Sequence, residues 1–181
     1  MRLMLKHVRL SFPQIWRAVK VEGQPDSKPS FSANLLIAKD DKQVAEIEKA
    51  ILAVATEQWG DKTRKTLEEV RGKDRTCLHD GAHKEYDGYD GCWYITARSQ
   101  MKPLMLDRYK QPLTEADGRP YGGCYVNASI DVWAQDNQWG KRINATLRGL
   151  QFVADGEAFA AGPPATAEEF PEEEEEETPL A

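Results

Sequence analysis

Eight side chains combine flat aromatic faces with positive charge: Trp16, Tyr94, Arg98, Lys102, Tyr125, Trp133, Arg142 and Arg148. A groove that grips a single-stranded nucleic acid needs both, rings on which bases stack and cations that follow the phosphates. Each stacked base contributes about 1–3 kcal/mol, so two or three such rings with several cations reach useful affinity. Aromatic residues also favour strands for packing reasons alone, so the same rings equally suit a second buried face. A body that is mildly basic tips the group toward nucleic acid.

A second set of reactive side chains is Cys77, His79, His83 and Cys92. Two thiols and two imidazoles are the ligand types of a tetrahedral zinc site. One residue separates Cys77 from His79 and eight separate His83 from Cys92, spacings that fit no common zinc finger. The three cysteines, Cys77, Cys92 and Cys124, read as reduced thiols of an intracellular protein, with no metal and no cofactor expected. Asp80-Gly81 and the 87–91 segment lack the alternating ligands and closing glutamate of a calcium loop and read as turns, on which Tyr86 and Tyr89 could clamp a base. There is no nucleophile elbow, no phosphate-binding glycine loop and no dinucleotide fingerprint, so nothing points to catalysis.

The third charged feature is Glu172, Glu173, Glu174, Glu175, Glu176 and Glu177. The chain of 181 residues carries −6; ten acidic residues and no Lys or Arg lie from Asp155 onward, which leaves +4 on residues 1–154. A segment so charged and so poor in apolar residues is expected to stay disordered. Two units follow: residues 1–154 as one folded nucleic-acid-binding domain and 155–181 as an acidic tail. The tail would compete with a polyanion for the basic groove or recruit a basic partner. No apolar run approaches 18 residues, and the first residues carry charges where a secretion signal needs an apolar core, so a cytoplasmic location without membrane contact is expected.

Elements that could hold these side chains follow from periodicity. Residues 2–12 read as a strand ended by Phe12-Pro13, with Trp16 in a turn, and 31–38 as a second strand with Phe31, Ala33, Leu35 and Ile37 on one face. Asp40 or Asp41 caps a helix to Trp59 with Val44, Ile47, Ile51 and Val54 as its apolar stripe. A short helix is expected over 63–70, and a long polar loop or an irregular hairpin arm over 71–91. Three strands close the body, at 93–101, 124–134 and 141–153, with a hairpin turn at 137–140 and a further extended piece at 104–106. In the last strand Ile143, Ala145, Leu147 and Gly149 face inward against Arg142, Asn144, Thr146 and Arg148. The fold class is mainly β with one or two helices: an OB-fold-like five-stranded barrel, although the helix follows the second strand rather than the third.

Several stretches in order carry a resemblance: 6–16 (KHVRLSFPQIW), Asp80-Gly81 with 86–89, Trp93 to Arg98, 121–129 (YGGCYVNAS) and 140–151 (GKRINATLRGLQ). Spanning most of residues 6–153, they resemble a phage-encoded family of single-stranded DNA-binding proteins. The resemblance implies a barrel that coats single strands in phage replication or recombination, self-association on DNA, and an acidic tail that regulates binding and recruits phage or host replication proteins. Comparable tails often finish on an aromatic residue. Here Phe170 precedes the glutamate run and the sequence finishes Pro179-Leu180-Ala181, which favours groove competition over partner docking. Two other classes fit parts of the pattern: a zinc-dependent nucleic-acid enzyme built on Cys77, His79, His83 and Cys92, and an acidic adaptor for a basic protein.

Overall fold

Five strands close on themselves in the computed structural model, which describes residues 1–159 and 167–172. Strand β1 (Arg2–Val19) lies antiparallel between β2 (Ser30–Ala38) and β6 (Tyr125–Asn137). From there β2 pairs with β4 (Cys92–Ser99) and β6 with β7 (Gly140–Ala154). A parallel pairing of β4 with β7 at Arg98 and Thr146 completes the ring. This is the pairing order of an OB barrel. Two short strands extend it, β3 (Leu78–Asp80) on β4 and β5 (Leu104–Leu106) parallel to β7. Helices α1 (Gln43–Trp59) and α2 (Thr63–Gly72) sit between the second and third barrel strands, as the apolar periodicity suggested.

Inward positions explain why the barrel closes. On β6 the run Cys124, Val126, Ala128, Ile130 and Val132 is wholly buried, each residue two positions from the last. These side chains meet Leu10, Leu35, Ile95, Ile143 and Leu147 from the other strands, and α1 adds Ile47, Ile51 and Val54 to the same core. Fully burying one such aliphatic side chain contributes about 1.5–3 kcal/mol, so the alternation dictates which face of each strand turns inward. The helix is capped by Asp41, whose Oδ1 accepts from the Gln43 amide at 2.9 Å.

Three expectations change. The first strand does not stop at Phe12-Pro13 but runs on to Val19, because its irregularities are absorbed as bulges, at Leu5/Val8 against β6 and at Ser11/Gln14 against β2. Pro13 falls where the β2 ladder skips, a position that needs no amide. Trp16 is therefore on a strand. For the polar arm after α2 the loop reading gives way to the hairpin one: the arm carries β3, antiparallel to β4, and a 3₁₀ turn at Gly81–His83, capped by Asp80. In β7 the alternation slips opposite the Ser129/Ile130 irregularity, so that Leu150 and Phe152, not Gly149, continue the buried face after Leu147.

Residues 155–159 do not leave the barrel at once. Tyr121 Oη donates to Asp155 Oδ1 at 2.7 Å, and the Phe159 amide donates to the Gly122 carbonyl at 3.0 Å. Glu172 is described and exposed; Glu173, Glu174, Glu175, Glu176 and Glu177 lie outside the described residues. Among the described residues, no helix is long and apolar enough to cross a membrane.

Candidate nucleic-acid interface

The outer face of β4 carries Tyr94, Thr96 and Arg98, the alternates of the inward Ile95 and Ala97. All three line both of two neighbouring recesses, of about 520 and 730 Å³, which flank this strand and together make its outer face a groove. One end lies against the β6–β7 hairpin, where Trp133, Gln135, Arg142 and Asn144 rise beside Arg75 from the turn before β3. The other end lies under the β1–β2 connection and the 84–89 loop, with Phe12, Lys20, Lys84 and Tyr86. In OB barrels this face, flanked by these two connections, is the one that takes oligonucleotides.

A polar chain braces the groove floor. Thr96 Oγ1 donates to Asn34 Oδ1, Asn34 Nδ2 donates to Tyr89 Oη, and Tyr89 Oη donates to Ser11 Oγ, each at 2.9 Å. Three barrel strands are thus tied to the 84–89 loop. Burial pushes the Tyr89 hydroxyl above its ordinary range, against the two hydrogen bonds that would lower it, so it stays protonated and can donate. Tyr94 lies over this floor, 6 % exposed. His79 stacks on it at 4.9 Å with 24° between the rings, and Tyr89 meets it edge-on at 5.1 Å. Its hydroxyl is pushed up to about 12, first by burial and then by Asp74 and the neighbouring tyrosines. Asp74 Oδ1 holds His79 Nδ1 at 2.7 Å.

Sequence reasoning named eight residues, and the structure gathers four of them, Tyr94, Arg98, Trp133 and Arg142, along this groove. Tyr94 is on the outward face as expected, yet it is the floor and not an open platform, because His79 covers it. Trp133 is the open ring: it is 41 % exposed, and its Nε1 donates to Thr146 Oγ1 at 3.0 Å, which fixes its tilt. Trp16 and Lys102 pair with each other, the ammonium 5.3 Å from the ring, outside either recess. Tyr125 lies beside Arg9, 5.9 Å from its guanidinium, and Arg148 is exposed on β7; neither lines the groove. Phe12, Lys20, Arg75 and Lys84 were missed. No periodicity marks them, since Lys20, Arg75 and Lys84 come from connections and Phe12 from a bulge.

The cysteine–histidine set does not assemble. Among the described residues no group of three or more His, Cys, Asp or Glu is placed to hold a metal ion. Cys77 is packed into the barrel core, its thiol pushed up to about 12, chiefly by burial. His79 is occupied by Asp74 and Tyr94.

A closed five-stranded OB barrel with a braced groove carrying aromatic rings and cations at both ends defines an oligonucleotide-binding class of fold. The family model described as "Enterobacter phage Enc34, ssDNA-binding protein" matches residues 1–180. The chain belongs to this phage single-stranded DNA-binding protein family. Protein p50 of Acyrthosiphon pisum secondary endosymbiont phage 1 is 43% identical over 173 residues, covering 94% of this chain and 92% of the relative. Among solved structures, the single-stranded DNA-binding protein of bacteriophage Enc34 in complex with ssDNA is 27% identical with a TM-score of 0.66, covering 88% of this chain and 89% of that one. The gp2.5 protein of bacteriophage T7 shares the fold, with a TM-score of 0.58 at 11% identity over 91% of this chain and 98% of that one.

Proposed function

We propose that this protein binds single-stranded DNA along the β4 groove without sequence preference and coats it during phage replication or recombination in the host cytoplasm. The observation that carries the reading is the pair of recesses that share Tyr94, Thr96 and Arg98, with rings and cations on both sides. Family membership and the ssDNA complex of the Enc34 relative support it. Arg75, Arg98, Arg142, Lys20 and Lys84 line the groove and supply the positive charge for phosphates, while Trp133 offers its face to a base. The role is binding, not catalysis.

The acidic segment regulates that binding. Its carboxylates resemble a phosphate backbone in charge, and Phe159, the last residue described before it, lines a cavity that Phe12 and Tyr86 also line, next to the groove. The tail competes for the groove until DNA displaces it, and offers a docking segment to replication proteins. Titrating oligo-dT into the full chain and into residues 1–161, with tryptophan fluorescence at two salt concentrations, tests both parts. Salt-sensitive quenching is expected in each, with tighter binding by the truncation. Equal affinities would remove the competition, and no quenching in either at low salt would remove the DNA reading itself.

A further inference from the structure

Phe12 is a bulky residue at φ 44, in the left-handed region that such side chains rarely enter. It sits in the β1 bulge between buried Ser11 and the Pro13-Gln14 step, and instead of turning inward its ring is 54 % exposed. A backbone held in that region is sustained only where the surroundings over-determine it, and such positions gather at ligand sites. Tyr86 meets the Phe12 ring edge-on at 4.8 Å and is itself 51 % exposed. Together the two rings form a partition, because both line the groove on one side and a second cavity of about 380 Å³ on the other. That volume is in the range of small-molecule pockets, roughly 300–1,000 Å³.

The far wall of this cavity is built as firmly as its partition. Phe159 packs under the Arg9 guanidinium at 4.2 Å, and Arg9 is itself fixed by donating to the Gly123 and Glu157 carbonyls at 3.0 and 2.7 Å. Opposite, Gly88 stands where a Cβ would come within 2.8 Å of the Phe159 ring, so the absence of a side chain leaves the ring room. Pro13 and Tyr121 complete the apolar lining, and Asp87 is the acid on it. An acceptor-only carboxylate repels phosphate but accepts from base N–H groups. Lys20 and Lys84, by contrast, line the groove side of the partition.

We infer that this side cavity receives one unstacked nucleobase of the bound strand, gripped between Phe12 and Tyr86 on one side and Phe159 on the other, while the flanking phosphates stay with Lys20 and Lys84. The inference rests on the proposed single-strand binding and adds a position to it. A base so held is stacked on aromatic faces and shielded from its neighbours. Because Phe159 belongs to the segment that leads into the acidic tail, the pocket also joins the strand to the root of that tail.

The test uses the full chain with oligo-dT carrying single 5-iodo-deoxyuridines, irradiated and mapped by mass spectrometry, alongside the affinity of the Phe12→Ala/Tyr86→Ala double variant. Adducts on Phe12, Tyr86 or Phe159 are expected. The double variant should bind about five- to 150-fold more weakly, the loss of one stacked base, with an unchanged salt slope. Adducts confined to Trp133 and the β6–β7 end would overturn the pocket while leaving groove binding intact. Binding by the double variant equal to the parent would do the same. Absence of both binding and adducts in the parent at low salt would instead overturn the underlying DNA reading, and the pocket with it. Mapping on the parent protein does not depend on how the variant folds.

Discussion

Replacing Trp133 by alanine separates stacking from charge. The ring is 41 % exposed, held at its edge by the hydrogen bond from Nε1 to Thr146, and lines the groove together with Gln135 and Arg142. Removing it deletes one platform, for which stacking of a base gives about 1–3 kcal/mol, or a five- to 150-fold rise in Kd. The fold should tolerate the change, since the lost hydrogen bond is exposed and its net contribution is about 0.5–1.5 kcal/mol. Fluorescence anisotropy of a labelled oligo-dT, measured from low to high salt, gives both the affinity and its slope. Trp133→Ala should lower log K by a constant amount at every salt concentration, because no phosphate contact is lost. Arg142→Gln or Arg98→Gln should instead flatten the slope by about 0.7 for each phosphate released from contact, the single-strand value. Two results would overturn Trp133 as a stacking platform: unchanged affinity for Trp133→Ala in a folded protein, or a change in its salt slope as large as that of the arginine variants.

Three further outcomes follow from the interior. Cys77 is raised from 9 to about 12, so the folded state keeps a proton that the unfolded state loses, and stability should fall as pH rises above about 9 until it levels near 12. Up to roughly 4 kcal/mol is at stake, and Cys77→Ala should remove that portion of the alkaline loss in urea titrations at pH 8 and 10.5. Tyr89→Phe should cost about 1–3 kcal/mol in thermal or urea unfolding, because it strips Asn34 and Ser11 of a buried partner at once. Gly81→Ala should destabilise the protein measurably by circular dichroism, since the added Cβ overlaps the backbone carbonyl oxygens of Tyr89 and Cys92, neither of which can swing aside.

How much of this the chain announces depends on where each side chain's direction is decided. On β6 the run from Cys124 to Val132 alternates without interruption, so its inward face and the outward Trp133 were legible from residue type alone. The same holds for Tyr94, Thr96 and Arg98 on β4. The second barrel strand and α1 were equally plain. What was hidden arises from non-periodic geometry or from distant partners. Phe12 points into solvent because of one left-handed torsion within a strand, which no hydrophobic pattern records. Tyr94 is covered by His79, fifteen positions earlier, a contact created only when β3 pairs with β4. Arg148 and Tyr125 looked equivalent to Arg142 and Trp133 by alternation, yet curvature of the barrel and the Ser129/Ile130 irregularity carry them away from the groove.

The ring of strands is stitched unevenly. Four of its junctions are long antiparallel ladders, whereas β4 and β7 register at the single pair Arg98 and Thr146, because β3 occupies the same edge of β4 over Trp93 to Ile95. The groove runs over this seam: Thr96 and Arg98 form one bank, Asn144 and Thr146 the other. A strand lying in the groove therefore acts as a clasp across the weakest closure of the barrel. Occupancy and closure become one equilibrium, in which a ligand that requires both banks together stabilises the closed ring by RT ln(1 + [L]/Kd). A polymer held on both banks would in this way fasten the ring that holds it.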